Sequence, residues 1–285
     1  MSLPNYLLLG PVKAVGLMPL GFLHRLSDLL AFIAYKVVRY RKTTVFQNIS
    51  KSFPDYNHRQ VEEVGKKFYK GFTDMFIETT KLYAGREKTV KNMVNYTGLN
   101  KIDELTSQNK TVIIVMGHVG NWEALSTMSL KLKDPLHIAY QPLNSKVIEK
   151  YMFDMRSRFG IKMLPSHKLA RHLIKNRKNP GSYMLISDQC PSRESTRYTT
   201  QFLNQPTSFF DGFVKLSKGV KAAVVYLGTH RIERGKYEVN CKVLTDDAAS
   251  KSEEELGNLY VKALEQDIRQ WPEQWLWSHK RWKRL

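Results

Sequence analysis

One short run of residues limits the possible folds of this chain more than any other. Residues 111–116 read TVIIVM, without a charge and with five β-branched side chains. Such a run is typical of a strand that is buried on both faces, as in a sheet covered by helices. Residues 121–133 then predict a helix with Asn121 as its N-cap. A buried strand followed directly by a helix favours an open α/β sheet.

The remaining segments alternate between strand and helix patterns in the same way, without an internal repeat or a low-complexity linker. We therefore expect one α/β domain over residues 46–285, with a mixed sheet flanked by helices. The further predicted strands are residues 136–140, 183–187, 221–230 and 237–244, and the further predicted helices are residues 58–83, 146–159, 168–178 and 251–271.

Residues 1–45 predict a membrane-associating helical segment. Residues 6–23 hold a single charge, Lys13, but several Gly and Pro residues, and a second apolar run follows at residues 26–38. A straight span needs about 20 mostly apolar residues, so these interruptions argue against one. We expect one or two helices that enter the bilayer interface or lie along it. The alternative is a buried helical hairpin with a solvated basic end.

The charge of the chain requires an acidic partner or surface. Lys and Arg number 45 against 26 Asp and Glu, which gives a formal net charge of +19. Nucleic acid, anionic headgroups and an acidic protein all fit this excess, and the charge alone does not choose among them. Four basic residues at the end of the second apolar run and directly after it fit a cytoplasmic anionic leaflet. They are Lys36, Arg39, Arg41 and Lys42.

Two residue types carry further information on compartment and surface. The two cysteines, Cys190 and Cys241, show no paired pattern, which excludes a disulfide scaffold and fits a reducing compartment. Four tryptophans interleave with basic residues near the end of the chain, which is typical either of a bilayer interface or of rings packed over the core. These are Trp271, Trp275, Trp277 and Trp282.

The chemistry is predicted at the end of the first strand, where the sequence reads MGHVGNWE over residues 116–123. His118 and Glu123 could form a hydrogen bond across the turn. An imidazole can take a proton from a hydroxyl while a carboxylate fixes its tautomer. The alternative is an incidental loop histidine beside an acid that favours a helix N-terminus.

Several segments together resemble the lipid A biosynthesis acyltransferases. They are NISKSFP at 48–54, the His118 block, Asp188 with Gln189, and PEQWLWSHKRWK at 272–283. The family lies within the lysophospholipid acyltransferase-like superfamily, whose shared motif is a His followed after four residues by an acid. The resemblance covers most of the chain. It implies that His118 is a general base with Glu123 as its orienting partner.

The resemblance also implies substrate-binding residues. Arg156 and Arg158 fall in the arginine block that holds phosphate or donor, and the choice between them stays open, as does a solvated basic helix end. Asp188 and Gln189 belong to the active-site block, where Asp188 orients an arginine, binds the acceptor headgroup or caps a loop. Asn121 either contacts substrate or only caps its helix.

By the same resemblance, the enzyme adds a late acyl chain to a lipid A precursor at the cytoplasmic face of the inner membrane of Gram-negative bacteria. The acyl donor is a thioester on acyl carrier protein, and the backbone around Gly120 is the expected oxyanion donor. We expect no metal, since the histidines lack ligand spacing, and no further cofactor. We also expect no nucleic-acid partner, since the sequence shows no RNA-type aromatic pattern and no helix-turn-helix pattern.

Three alternative functions follow from the same residues. One is an acyltransferase that acts on another lipid, such as a lysophospholipid or an aminolipid. Another is a lipid esterase or thioesterase; a Cys190 nucleophile with His118 as its base would likewise give a hydrolase, or a covalent transferase. The third is a non-enzymatic basic protein that binds membrane or nucleic acid.

Overall fold

The computed structural model describes residues 9–179, 181–191 and 197–283. Its centre is a seven-stranded mixed sheet, beside which β6 and β7 form a separate antiparallel hairpin. In chain order the strands are β1 (Val94–Thr97), β2 (Val112–Met116), β3 (Leu136–Tyr140), β4 (Lys162–Pro165), β5 (Ser182–Ile186), β6 (Arg197–Phe202), β7 (Gln205–Phe210), β8 (Ala223–Glu233) and β9 (Lys236–Thr245).

Helices cover both faces of the sheet. The α-helices are α1 (Gly10–Leu17), α2 (Leu20–Phe32), α3 (Lys42–Ser52), α4 (His58–Ala84), α5 (Glu87–Lys91), α6 (Asn100–Ser107), α7 (Lys146–Ser157), α8 (Leu169–Lys175), α9 (Gly212–Gly219) and α10 (Glu253–Gln270). A π-helical turn, Ile33–Val37, continues α2, and the 3₁₀-helices are Trp122–Leu130, Ser166–Lys168, Ala248–Ser250 and Pro272–Gln274.

Strand β2 lies in the middle of the sheet. The strand order is β1-β9-β8-β2-β5-β3-β4, and every neighbouring pair is parallel except β8 with β9. All five residues of β2 are fully buried. Ile113 and Val115 pack into one core, while Val112, Ile114 and Met116 pack into the other. The uninterrupted apolar run in the sequence is explained by these two cores, one on each face.

The predicted fold class, a mixed α/β sheet flanked by helices, is confirmed. Each predicted strand appears within three residues of its expected ends, while β1, β4 and the β6–β7 hairpin were not predicted. The helix predicted at 121–133 is a 3₁₀-helix, Trp122–Leu130. Within it, the hydroxyls of Thr127 and Ser129 donate to carbonyls three residues earlier, a local bond that competes with α-helical geometry.

The N-terminal helices pack against the body through α4. A side chain at Gly16 would lie 2.1 Å from the Thr80 carbonyl oxygen, so α1 and α4 are in direct backbone contact. The buried hydroxyls of Ser27 and Thr73 are hydrogen-bonded at 3.0 Å between α2 and α4.

Over the described residues, no single helix is long and apolar enough to cross a bilayer. Gly10–Leu17 and Leu20–Val37 reach the required length and composition only when combined, with a bend of 119° between them.

Candidate active site

The sheet brings two predicted site residues to the same edge. Strands β2 and β5 are parallel neighbours, with Met116 opposite Ile186. Both strands end there, and His118 and Asp188 each lie two residues beyond the end of their strand. Gly117 makes the close approach possible, because a side chain at this position would lie 2.4 Å from Leu264 and 3.3 Å from Asp188.

Asp188 holds His118 through both of its carboxylate oxygens. The imidazole Nδ1 lies 2.5 Å from Oδ1, and the His118 backbone N–H donates to Oδ2 at 2.8 Å. Trp275 Nε1 donates to Oδ2 as well, at 2.8 Å. Burial alone raises the pKa of Asp188, but the His118 charge and these hydrogen bonds outweigh it and lower the pKa to about 2. The carboxylate therefore stays ionised at any pH above about 3.

This contact fixes the proton on His118. An ionised carboxylate only accepts hydrogen bonds, so Nδ1 must carry the hydrogen. In the neutral ring, Nε2 then presents a lone pair, and the Gln189 amide nitrogen lies 3.3 Å from it. Trp122 packs edge-to-face against the ring at 4.8 Å between centroids. His118 is thus held in the tautomer that a general base requires.

The predicted hydrogen bond between His118 and Glu123 is wrong. The 3₁₀-helix that begins at Trp122 turns the Glu123 carboxylate toward α7, where Arg156 donates to it twice, at 2.8 Å from Nε and 2.6 Å from Nη2. Trp122 Nε1 donates to the same carboxylate at 3.1 Å. The described hydrogen bonds of the Glu123 carboxylate are thus with Arg156 and Trp122, and none is with His118. The catalytic role of His118 itself stays a prediction.

The two candidate arginines have different positions. Arg156 lies at the site, paired with Glu123. Arg158 donates to the Leu82 carbonyl at 2.6 Å and to the Gly85 carbonyl, at the C-terminal end of α4. Arg158 thus binds unpaired carbonyls at a helix end, a structural role.

Asn121 is fully buried and both ends of its amide have partners. Its Oδ1 accepts from the Ala124 backbone N–H at 3.2 Å, and its Nδ2 donates to Glu78 at 2.8 Å. The helix-cap alternative is therefore the one that the structure shows, and Asn121 is not exposed to a substrate. Gln189, by contrast, faces both His118 and a cavity.

The C-terminal segment runs antiparallel to the His118 loop. The Gly120 N–H donates to the Gln274 carbonyl at 2.9 Å, and the Leu276 N–H donates to the His118 carbonyl at 3.1 Å. The Gly120 N–H is therefore already paired and is not free to be an oxyanion donor, while an oxyanion donor elsewhere in the backbone around Gly120 stays a prediction. Trp275 and Trp277 are fully buried, so these two rings pack over the core.

A cavity of about 560 Å³ lies beside Gln189 and Trp122. Its wall is mostly apolar and comes from α4, α7 and the C-terminal segment. The apolar contributors are Phe72, Met75, Phe76, Ile148, Met152 and Leu276.

The polar part of the wall is small. Among the described residues, Arg41 and Glu123 are its charged members, and Gln189 and His279 add neutral polar groups. Cys190 has its sulfur 3.6 Å from the Pro191 carbonyl. The described contacts give Cys190 no bond to His118, which is paired with Asp188 and Gln189.

Comparison with known proteins places this site in one family. The sequence model of the protein family described as "Bacterial lipid A biosynthesis acyltransferase" matches residues 3–284. A lipid A biosynthesis palmitoleoyltransferase of Escherichia coli K12 is 22% identical over 268 residues, which cover 93% of this chain and 86% of the relative. A lipid A biosynthesis acyltransferase of Shigella flexneri has the same identity and coverage. The similarity includes both the N-terminal helices and the α/β body.

We predict that Asp188, rather than Glu123, fixes the tautomer of His118. In Asp188→Asn the amide can donate to Nδ1, which moves the imidazole hydrogen to Nε2. The ¹⁵N chemical shifts of the neutral His118 ring, measured by NMR, should report Nδ1–H in the wild type and Nε2–H in this variant.

Glu123→Gln is the matched control, since it also neutralises a buried carboxylate of the same site. It should leave Nδ1–H in place. A switch of tautomer in Glu123→Gln but not in Asp188→Asn would contradict the assignment.

Proposed function

This chain belongs to the bacterial lipid A biosynthesis acyltransferases, and we propose that it transfers a fatty acyl chain from a thioester on acyl carrier protein to a hydroxyl of a lipid A precursor. One observation carries the proposal most directly. His118 is held by a buried, ionised Asp188 at 2.5 Å, and its other ring nitrogen faces Gln189 beside an apolar cavity. A base of this kind needs no protein nucleophile when the acceptor supplies the hydroxyl.

This geometry supports the following reaction. The acceptor hydroxyl takes the place of the Gln189 amide at Nε2 and gives its proton to His118 as its oxygen attacks the thioester carbonyl. A C–O bond forms and the carbonyl oxygen becomes negative. The C–S bond then breaks, and the leaving thiolate takes the proton from Nε2. Asp188 stabilises the imidazolium that exists between these steps.

The cavity suits the acyl chain. Its volume of about 560 Å³ and its apolar wall are typical of sites for small apolar ligands. Trp122 and Gln189 contact both the cavity and the His118 ring, so the reacting end of a bound chain would lie beside the base. Arg41, whose Nη1 donates to the Ser278 carbonyl at 2.9 Å, offers its remaining N–H groups to an anionic part of the donor or the acceptor.

The ion pair of Glu123 with Arg156 positions the cavity wall. It joins the 3₁₀-helix after His118 to α7, whose Tyr151 and Met152 line the cavity. Because both partners are largely buried, removal of one would leave a poorly solvated charge. We therefore assign Glu123 and Arg156 a positioning role.

We place the enzyme at the cytoplasmic face of the inner membrane. The N-terminal helices expose large apolar side chains, a surface that an aqueous environment disfavours. Tyr40 and Phe76 continue this surface and also line the cavity, so a lipid could enter the site from the bilayer. The exposed apolar residues of this surface are Leu17, Phe22, Leu29, Phe32, Val37 and Val38.

Acyl transfer by purified protein in detergent tests the proposal. The substrates are labelled acyl carrier protein thioester and a tetra-acylated lipid A precursor. The wild type should form the acylated product, and His118→Ala should lose about a hundredfold or more of the rate because the general base is missing. His167→Ala, which removes an exposed histidine outside the cavity, should keep wild-type activity.

Other results would support the alternatives. Equal transfer by the wild type and His118→Ala would show that His118 is not the base. Release of free fatty acid without transfer would favour a thioesterase. Transfer to a lysophospholipid or an aminolipid, but not to the lipid A precursor, would favour the same chemistry on another acceptor.

The membrane surface is tested by flotation with vesicles that contain anionic lipid. The Phe32 side chain on α2 is 58% exposed. Phe32→Asn should weaken the partition into vesicles by about fivefold or more, because it removes at least ~1 kcal/mol of the favourable free energy of transferring apolar surface from water to the bilayer. Ile174→Asn is the control, because Ile174 is 65% exposed on α8. Equal weakening in both variants would contradict the proposed orientation.

A further inference from the structure

A second histidine, His279, lies in the wall of the same cavity. Its backbone is firmly held. Asn48, buried in α3, donates from its amide to the carbonyls of Trp277 at 2.8 Å and His279 at 3.0 Å. Arg41 binds the carbonyl of the intervening Ser278. The backbone that carries His279 is therefore held in place by Asn48 and Arg41.

The contacts of the ring also determine which of its nitrogens carries the hydrogen. The backbone N–H of Cys190 donates to His279 Nε2 at 3.1 Å, so Nε2 is an acceptor and the hydrogen must lie on Nδ1. Among the described residues, Nδ1 has no hydrogen-bond partner, and it is not among their buried unpaired atoms. This N–H is therefore accessible to solvent, on a residue that lines the cavity.

His279 is neutral at physiological pH. Burial lowers the pKa of its imidazole to about 4, although the nearby charge of Asp188 acts in the opposite direction. A neutral imidazole donates a hydrogen bond without giving up its proton, as a group that stabilises developing charge must do.

His279 is also close to the base. Gln189, whose amide is 3.3 Å from His118 Nε2, directly precedes Cys190, whose N–H binds His279. Gln189 and His279 line one cavity, and the charges of His118 and Asp188 both act on His279. The two histidines are thus linked through two consecutive residues, Gln189 at His118 and Cys190 at His279.

We propose that His279 is a second catalytic residue, which donates its Nδ1–H to the thioester carbonyl oxygen as that oxygen becomes negative. The inference rests on the proposed acyl transfer. His118 takes the proton of the hydroxyl, the new C–O bond pushes the carbonyl electrons onto oxygen, and His279 stabilises that charge until the C–S bond breaks. The Gly120 N–H cannot do this, since Gln274 already accepts from it.

Two substitutions distinguish the roles of the two ring nitrogens of His279. His279→Asn places an amide N–H near the position of Nδ1 and loses the Nε2 acceptor. His279→Gln places an amide oxygen near the position of Nε2, where it can still accept from Cys190, and loses the Nδ1 donor. The assay is steady-state transfer from acyl carrier protein thioester to the lipid A precursor, with thermal unfolding midpoints to confirm that both variants fold.

The proposal expects His279→Gln to lose about 10²–10³-fold in kcat with little change in KM, the usual effect of a lost oxyanion donor. His279→Asn should stay within about tenfold of the wild type. A purely structural role, holding Cys190, predicts the reverse order. Equal losses in the two variants, or a larger loss in His279→Asn, would overturn the proposal. An inactive wild type would instead overturn the proposed function, which is a distinct result.

Discussion

The buried carboxylate of Asp188 is the interaction on which the rest of the site depends. It lies at the end of β5, accepts from the loop that follows β2 and accepts from Trp275 in the C-terminal segment. A buried charge is tolerated only when hydrogen bonds replace its lost hydration. All three segments must therefore stay in position around the carboxylate. The parallel pairing of β2 with β5 brings the two residues together, and the carboxylate fixes the orientation of the His118 imidazole.

A second buried carboxylate, that of Glu78, connects the loop after His118 to the N-terminal helices. Glu78, fully buried in α4, accepts from Asn121 at 2.8 Å and from Tyr237 at 2.7 Å, and it lies 3.2 Å from His24 of α2. Asn121 in turn caps the 3₁₀-helix that carries Trp122 and Glu123. The N-terminal helices and the loop that carries His118 are thus parts of one connected structure, as the proposed function requires.

The sequence was most informative where structure is local. The run at 111–116, the apolar spacing of α4 and the strand at Leu136–Tyr140 follow from residue patterns alone. The partner of His118 does not, because it depends on which strands are neighbours, and Asp188 lies 70 residues away along the chain. Glu123 was predicted instead, because it lies across the turn from His118 and fits the family motif of a His followed after four residues by an acid. One usable signal was present: both His118 and Asp188 follow predicted strands, and parallel strands present their carboxyl ends at one edge.

The most direct test of the account is a double-mutant cycle on transfer between His118→Ala and Asp188→Asn. If the two residues act as one unit, Asp188→Asn should lower kcat by about 10³–10⁴-fold in the presence of His118, the size expected for a wrong tautomer. In the His118→Ala background it should cost less than about threefold, since there is no imidazole left to orient. If Asp188→Asn lowered kcat by the same factor in both backgrounds, the account would be contradicted, because Asp188 would then act on something other than His118.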